Sequence, residues 1–338
     1  MRAWILLAAV GCRAPRGREH AALPITPVGE TVDGAMKLAI EGDKITGVEA
    51  VVSGKNWLWP PVIDSHVHLA FWQVADRLAA AGVAGVVDLA APERMLGEPQ
   101  PVDVIEAGPM LTHVNGYPLD AWGSDGYGIG CGDAACVTAT IERLASHGTH
   151  VVKLALDDDG LAPELVPGAV EAAHAHRMKV AVHALSEAGA ALGARAGADL
   201  LAHTPTEALS DATVAAWSGR VVISTLAAFG GSPIAIDNLQ RLRAAGVTVL
   251  YGTDLGNNRD AGPSAKEIEL LRTAGLDDEA ITAAMTTVPA AYWGFPFGIS
   301  AGHEASFLVL DRDPRHDARA LLAPLAVWSR GQRVKQPK

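Results

Sequence analysis

The chain has 338 residues, enough for about two domains or one barrel with an appendage at roughly 150 residues per domain. With 49% hydrophobic and 19% charged residues it is too apolar for a disordered chain, and three cysteines exclude a disulfide-built fold. A formal charge of −11 leaves no basic excess for a nucleic-acid partner, which would have to be held through a basic face.

Residues 1–12 combine Met1-Arg2, the apolar stretch Ala3 to Val10 and Gly11-Cys12. That order matches an export signal, and a small residue before Cys12 resembles the lipobox of bacterial lipoproteins. The expectation is an exported protein attached to the membrane by lipid on Cys12, or a cytoplasmic one if the segment is a mis-called start. Residues 13–24, rich in Arg, Ala and Pro, read as a tether.

Met36 to Ile40, Lys44 to Val48 and Val51-Val52 alternate around turn residues, as small antiparallel strands do. From Pro61 onward, short β-branched runs alternate with Ala- and Leu-rich helical stretches. The predicted strands are Val62 to His68, Val86 to Leu89, Val104 to Leu111, Val151 to Leu156, Lys179 to Ala184, Leu200 to Thr204, Val221 to Leu226 and Thr248 to Asp254. Helices are expected over Val137 to His147, Pro163 to His176 and Ser186 to Ala196. Eight βα repeats make a (β/α)8 TIM barrel over residues 60–298. Strand character returns at Phe307 to Leu310 and in Leu322 to Val334, so residues 25–59 and 299–338 are expected to join as a small β-sandwich domain.

The candidate chemistry sits where these strands end. His66 and His68 are two apart on a strand and share a face, so both imidazoles can reach one ion. His174 and His176 have the same spacing in a helical run, where about 200° separates them, and are expected at the surface. His183, His203 and Asp254 end three further strands, and the C-terminal strand ends form the functional face of a barrel. Four histidines and a carboxylate suit zinc or a similar divalent ion. Lys153 interrupts the apolar run Val151 to Leu156, and a buried ammonium needs a partner. Two answers are open: an ion pair with Asp157, Asp158 or Asp159, or a neutral amine that takes up carbon dioxide to become an anionic carbamate.

Other features carry less. Gly126, Gly128 and Gly130 mimic a nucleotide fingerprint, but with no strand leading in they read as a mobile loop. His113 and Tyr117, with Trp122 and Tyr127, fall in the loop after the third strand, within reach of a substrate; Arg259, after Asp254, offers an anion clamp or a solvated surface charge. Asp64 shares the face of His66 one layer deeper, as a brace. Cys131 and Cys136 either pair or stay free thiols.

Taken together, Pro61-Val62-Ile63-Asp64-Ser65-His66-Val67-His68, Lys153, His183, Leu201-Ala202-His203-Thr204-Pro205, Gly252-Thr253-Asp254 and the closing Gly302 to Asp313 resemble the amidohydrolase superfamily. Gly108 to Thr112 and Gly116-Tyr117-Pro118 resemble its imidazolonepropionase and prolidase-like branch. Ser306 stands where the family commonly has Asp, and Val288 precedes Pro289 where Asn is usual. The resemblance implies two divalent ions: one held by His66, His68 and Asp254, the other by His183 and His203, with carbamylated Lys153 between them. It implies hydrolysis of a carbon-nitrogen amide bond in a small peptide, N-acyl amino acid or cyclic amide by a metal-bridging hydroxide, with Asp254 moving the proton. Lactone or phosphotriester hydrolysis on the same site is the alternative; a non-catalytic, lipid-anchored binding barrel is the alternative of another class. Deamination is disfavoured because Ser186 stands three residues after His183, where deaminases place Glu. The expected partner is a small molecule, and an oligomer remains open.

Overall fold

The computed structural model describes residues 26–157 and 159–334. The signal segment with Cys12 and the tether lie outside the described residues. Seven strands from both ends of the chain form one mixed sheet. They are β1 (Val28–Thr31), β2 (Gly34–Glu41), β3 (Lys44–Ala50) and β4 (Trp57–Trp59) from the start, and β15 (Phe307–Leu310), β16 (Ala326–Ser329) and β17 (Gln332–Val334) from the end. Their order is β17-β16-β15-β4-β1-β2-β3. β2 and β3 are joined through Gly42-Asp43, where Gly42 at φ +60° supplies the left-handed backbone such a tight hairpin needs. The β-sandwich expected from sequence is therefore a single sheet. Strand propensity cannot tell two stacked sheets from one, and here β4 pairs with both β1 and β15 and so joins the two chain ends in one sheet, with Leu38, Ile45, Leu58, Phe307 and Trp328 in one small core.

The middle of the chain carries parallel strands. A three-stranded sheet contains β5 (Val62–Val67), β6 (Val83–Asp88) and β7 (Asp103–Glu106). A seven-stranded sheet runs β14-β13-β12-β11-β10-β8-β9. Its members are β8 (Met110–Thr112), β9 (Gly128–Gly130), β10 (Val151–Ala155), β11 (Lys179–His183), β12 (Leu200–Leu201), β13 (Val221–Ile223) and β14 (Thr248–Leu250). The single strand expected over Val104 to Leu111 is broken into β7 and β8. Gly108 takes φ +71° and Pro109 has no N–H to give to a ladder, so pairing stops there. Ala107 N to Asp88 O (2.9 Å) and Ala91 N to Gly108 O (3.1 Å) continue the β6–β7 pairing toward the start of β8, and Ser65 N to Tyr251 O (3.0 Å) and Asp254 N to His66 O (2.9 Å) join β5 of the smaller sheet to the segment after β14 of the larger.

The glycine-rich segment is not a mobile loop but β9, paired in parallel with β8. Its glycines admit close neighbours: a Cβ at Gly130 would stand 3.0 Å from both Leu119 Cδ1 and Val114 Cα. Just beyond, Cys131 and Cys136 are joined in a disulfide, and Asp133 caps the following helix by accepting from Cys136 N.

Helices cover the outer faces of the parallel strands. Among them α2 (Ala134–Ser146), α3 (Val166–Ala175) and α4 (Glu187–Ala196) fall close to the expected positions. The first helix among the described residues, α1 (Ala75–Ala80), buries Leu78 against the same layer. Val152, Leu154, Val180 and Val182 pack outward with Val170, Ala173, Ala190 and Ala194 of the helices. The alternate residues Val151 and Ala181 point the other way, into an inner cluster with Val87, Leu200, Ile223 and Leu250. Period-two alternation therefore puts Lys153 on the face of Val151 and His183 on the face of Ala181.

Candidate metal centre

The strand ends bring His66, His68, Lys153, His183, His203 and Asp254 to one place, all buried. His66 is on β5 with His68 just past it, Lys153 is on β10, His183 ends β11, and His203 and Asp254 follow β12 and β14. His66, His203 and Asp254 each offer a ligand atom within 4.8 Å of the others. The ring centroids of His66 and His203 are 4.3 Å apart, and those of His183 and His203 4.9 Å. Asp254 Oδ1 is 3.1 Å from His68 Nε2 and 3.5 Å from His66 Nε2.

The imidazoles are oriented from behind. His66 Nδ1 donates to the Ala202 carbonyl at 2.7 Å, which leaves its Nε2 lone pair facing the cluster. His203 Nδ1 pairs with Thr225 Oγ1 at 2.9 Å. Asp64 accepts from His66 N (3.2 Å), Thr253 N (3.0 Å) and Thr253 Oγ1 (2.5 Å), so it braces both the strand of His66 and the approach to Asp254. Asn257 Nδ2 donates to both Asp254 oxygens, at 3.2 and 3.1 Å. Thr225 (φ +42°) and Asp254 (φ +55°) lie in the left-handed region, a strain that the surrounding contacts must hold.

Burial sets the charge states. It holds His66 and His203 well below the usual histidine range, and the nearby Lys153 charge adds to the effect; His183 is lowered to about 4 for the same reasons. Burial lowers Lys153 to about 8 and pushes Asp64 up to about 7. Burial also acts to raise Asp254, but the His68 hydrogen bond and the neighbouring positive charge prevail and hold it below the usual carboxylate range. Lys153 Nζ meets His66 Nε2 at 3.1 Å, and among the described residues no carboxylate forms an ion pair with it. Asp157, one of the expected partners, instead accepts from Leu185 N, Ser186 N and Ser186 Oγ at the start of α4 and lies 3.6 Å from His183 Nε2.

This donor set fits a divalent cation. The imidazoles of His66, His183 and His203 are held neutral, as ligation requires, and a carboxylate stands among them. The buried Nδ1 atoms of His68 and His183 have no hydrogen-bond partner in the described structure, which leaves coordinating capacity unused. An ammonium on Lys153 would oppose a cation, so the fit requires that residue neutral or converted to an anion.

A cavity of about 480 Å³ opens above these groups, lined also by Tyr117, Leu185, Phe229 and Asn257. Tyr117 lies over the His183 ring at 4.9 Å, and Phe229 meets the His203 ring edge-on at 4.9 Å. Two of the suggested substrate contacts are elsewhere. His113 is exposed and turns Nδ1 to the Val114 carbonyl at 2.8 Å. Arg259 stacks on Trp72 at 4.2 Å, where the indole face attracts its guanidinium away from the cavity. His174 is paired with Asp199 at 2.9 Å on the outside. Phe229, Thr225 and Asn257 were not singled out from sequence. Their signals are an aromatic before Gly230-Gly231 in the loop after β13, a hydroxyl just past that strand's end, and an amide three residues after Asp254.

No protein-family model matches the chain. Uncharacterized proteins of Mycobacterium tuberculosis and Mycobacterium bovis are each 25% identical to it over 339 aligned residues, covering 87% of this chain and 89% of theirs. Among solved structures, the chain is similar to a Xaa-Pro dipeptidase with bound methionine in the active site, with a TM-score of 0.75, 18% identity, and 89% of this chain and 95% of that one covered. It is similar to A. niger ochratoxinase, with a TM-score of 0.72, 18% identity and coverage of 89% and 92%. For phenylurea hydrolase B the TM-score is 0.67, with 19% identity and coverage of 89% and 93%. At these identities the likeness establishes a shared fold.

Proposed function

We propose that this chain is a metal-dependent hydrolase of the amidohydrolase superfamily, its parallel strands forming a (β/α)8 barrel, and that it cleaves a carbon-nitrogen amide bond in a small molecule. The observation that carries this reading is the convergence of His68, His183, His203, Asp254 and Lys153 on one cavity at the C-terminal ends of parallel strands, with His66 buried beside Lys153 and no ion pair to Lys153 among the described residues. Hydrolases acting on a dipeptide, an ochratoxin and a phenylurea share the fold, in keeping with amide cleavage.

His66, His68 and Asp254 would hold one divalent ion and His183 and His203 a second, with zinc the favoured identity for such ligands. Bound ions would supply Lewis acidity and lower the pKa of water. Addition of the neutral Lys153 amine to carbon dioxide would form an N–C bond, move one C=O π pair onto oxygen and release a proton, and the carbamate so formed would offer two oxygens sharing one negative charge as further ligands. Asp254 accepts a proton at a carboxylate oxygen and returns it to the departing nitrogen, while the Asn257 amide keeps that carboxylate oriented. Tyr117 and Phe229 flank the reacting bond and exclude water from one side of it. From Gly11-Cys12 we further propose export and lipid anchoring, which fractionation of wild type against Cys12→Ala would test.

The test of the hydrolase reading is elemental analysis of the purified protein together with turnover of dipeptides, N-acyl amino acids, anilides, lactones and phosphotriesters. Close to two divalent ions per chain and amide cleavage are expected, with both lost in His66→Ala and His203→Ala. No bound metal and no activation by zinc, manganese or cobalt would overturn it.

A further inference from the structure

The cavity above the cluster has an uneven charge distribution. Its one cationic side chain among the described lining residues is Lys153, buried at the base beside His66. Its other formal charges are Asp254 and Asp157, both negative, and Asp157 stands near the opening with part of its side chain accessible. Apart from the neutral Asn257 amide, which donates to Asp254, the remaining wall is mainly apolar: Tyr117, Leu185 and Phe229 are each only partly buried, so they present apolar surface to whatever enters. Phe229 and Tyr117 are seated on His203 and His183, whose rings are neighbours, so the two aromatic groups border the same side of the cluster. Arg259, the charge best placed by sequence to clamp an anion, is held by Trp72 and Phe71 instead.

Resting on the amide-hydrolase reading above, we propose that the substrate is an uncharged amide whose apolar or aromatic group lies against Phe229 and Tyr117, and that the cavity selects against a free carboxylate. A carboxylate carried on the group that lies against this wall, away from Lys153 and the bound ions at the base, would lose water without gaining a cationic partner and would face Asp157. An aromatic group would instead cover surface that is otherwise wet. Free dipeptides and N-acyl amino acids are therefore poor substrates, and anilides, N-aryl ureas or amides of apolar amines are good ones.

The test uses acetanilide and 4-acetamidobenzoate, which differ only by the carboxylate, titrated calorimetrically into the full chain, chelator-treated and zinc-loaded. Acetanilide is expected to bind about tenfold or more tightly than its carboxylated partner in both states. Phe229→Ala should weaken acetanilide binding about tenfold, a loss of about 1.4 kcal/mol, and Phe229→Leu, which keeps an apolar wall, should stay within about threefold of wild type. Equal or tighter binding of 4-acetamidobenzoate, or a well-folded Phe229→Ala protein that binds acetanilide as wild type does, would overturn the proposal. Turnover of the same pair separates the two readings. Preferential hydrolysis of 4-acetamidobenzoate refutes the selectivity and upholds the hydrolase; preferential binding of acetanilide with no amide of any kind cleaved upholds the selectivity and refutes the hydrolase.

Discussion

Replacing Lys153 by Met separates what this residue costs the fold from what it does for the site. The side chain is 1% exposed, its ammonium has no ion pair among the described residues, and burial lowers its pKa from 10.5 to about 8. In the unfolded chain the amine returns to its ordinary value, so between about pH 8 and 10.5 the unfolded state binds more protons and stability rises with pH. Below pH 8 the full penalty applies: at 1.36 kcal/mol per pH unit the gap corresponds to roughly 3 kcal/mol against folding. Met has nearly the same length and no charge to desolvate. Metal-free Lys153→Met is therefore expected to be about 2–3 kcal/mol more stable than wild type at pH 7, with the difference shrinking toward pH 10. Urea unfolding of chelator-treated protein at both pH values measures this, and elemental analysis of untreated protein should show metal lost together with the amine. A variant that is less stable than wild type at pH 7 by more than about 1 kcal/mol would refute the reasoning, because it would mean the ammonium is compensated in the folded state.

Asp254→Asn should keep much of the metal on the histidines yet lose roughly two to four orders of magnitude in turnover, because the proton acceptor is gone; wild-type rates on a verified substrate would remove Asp254 from that role. Asp64→Ala leaves His66 N, Thr253 N and Thr253 Oγ1 without their acceptor in a buried site and should cost about 3 kcal/mol or more, whereas Asp64→Asn, which keeps an oxygen there, should cost far less in thermal unfolding. Gly252→Ala would set its Cβ 2.4 Å from Ile223 Cγ2 and 3.1 Å from His66 Cβ, so it should lower stability by about 1–3 kcal/mol and reduce metal content; unchanged zinc stoichiometry would show that the strand end can yield without disturbing His66.

The sequence by itself determined the strand ends and what they carry. Because β-strands repeat every two residues, His66 with His68, and Lys153 inside an apolar run, could be assigned a face before any fold was known. The helical repeat likewise separated His174 and His176, which lie exposed in the last turn of α3 and at its C-terminal cap. What the sequence could not determine is how distant segments close on one another. One sheet and two stacked sheets use the same alternating strands; only the pairing of β4 with β1 on one side and β15 on the other decides between them. Gly128 to Gly130 has the composition of a loop, and its strand exists because β8 supplies a partner and Leu119 needs the room that glycine leaves. His113 and Arg259 lie in loops of the right length, but the direction of a loop side chain follows from its neighbours: Arg259 found two aromatic faces outside the cavity, and Phe229 found the edge of His203 inside it. Local periodicity decides which face of a strand a side chain occupies, and only tertiary contact decides what that face meets.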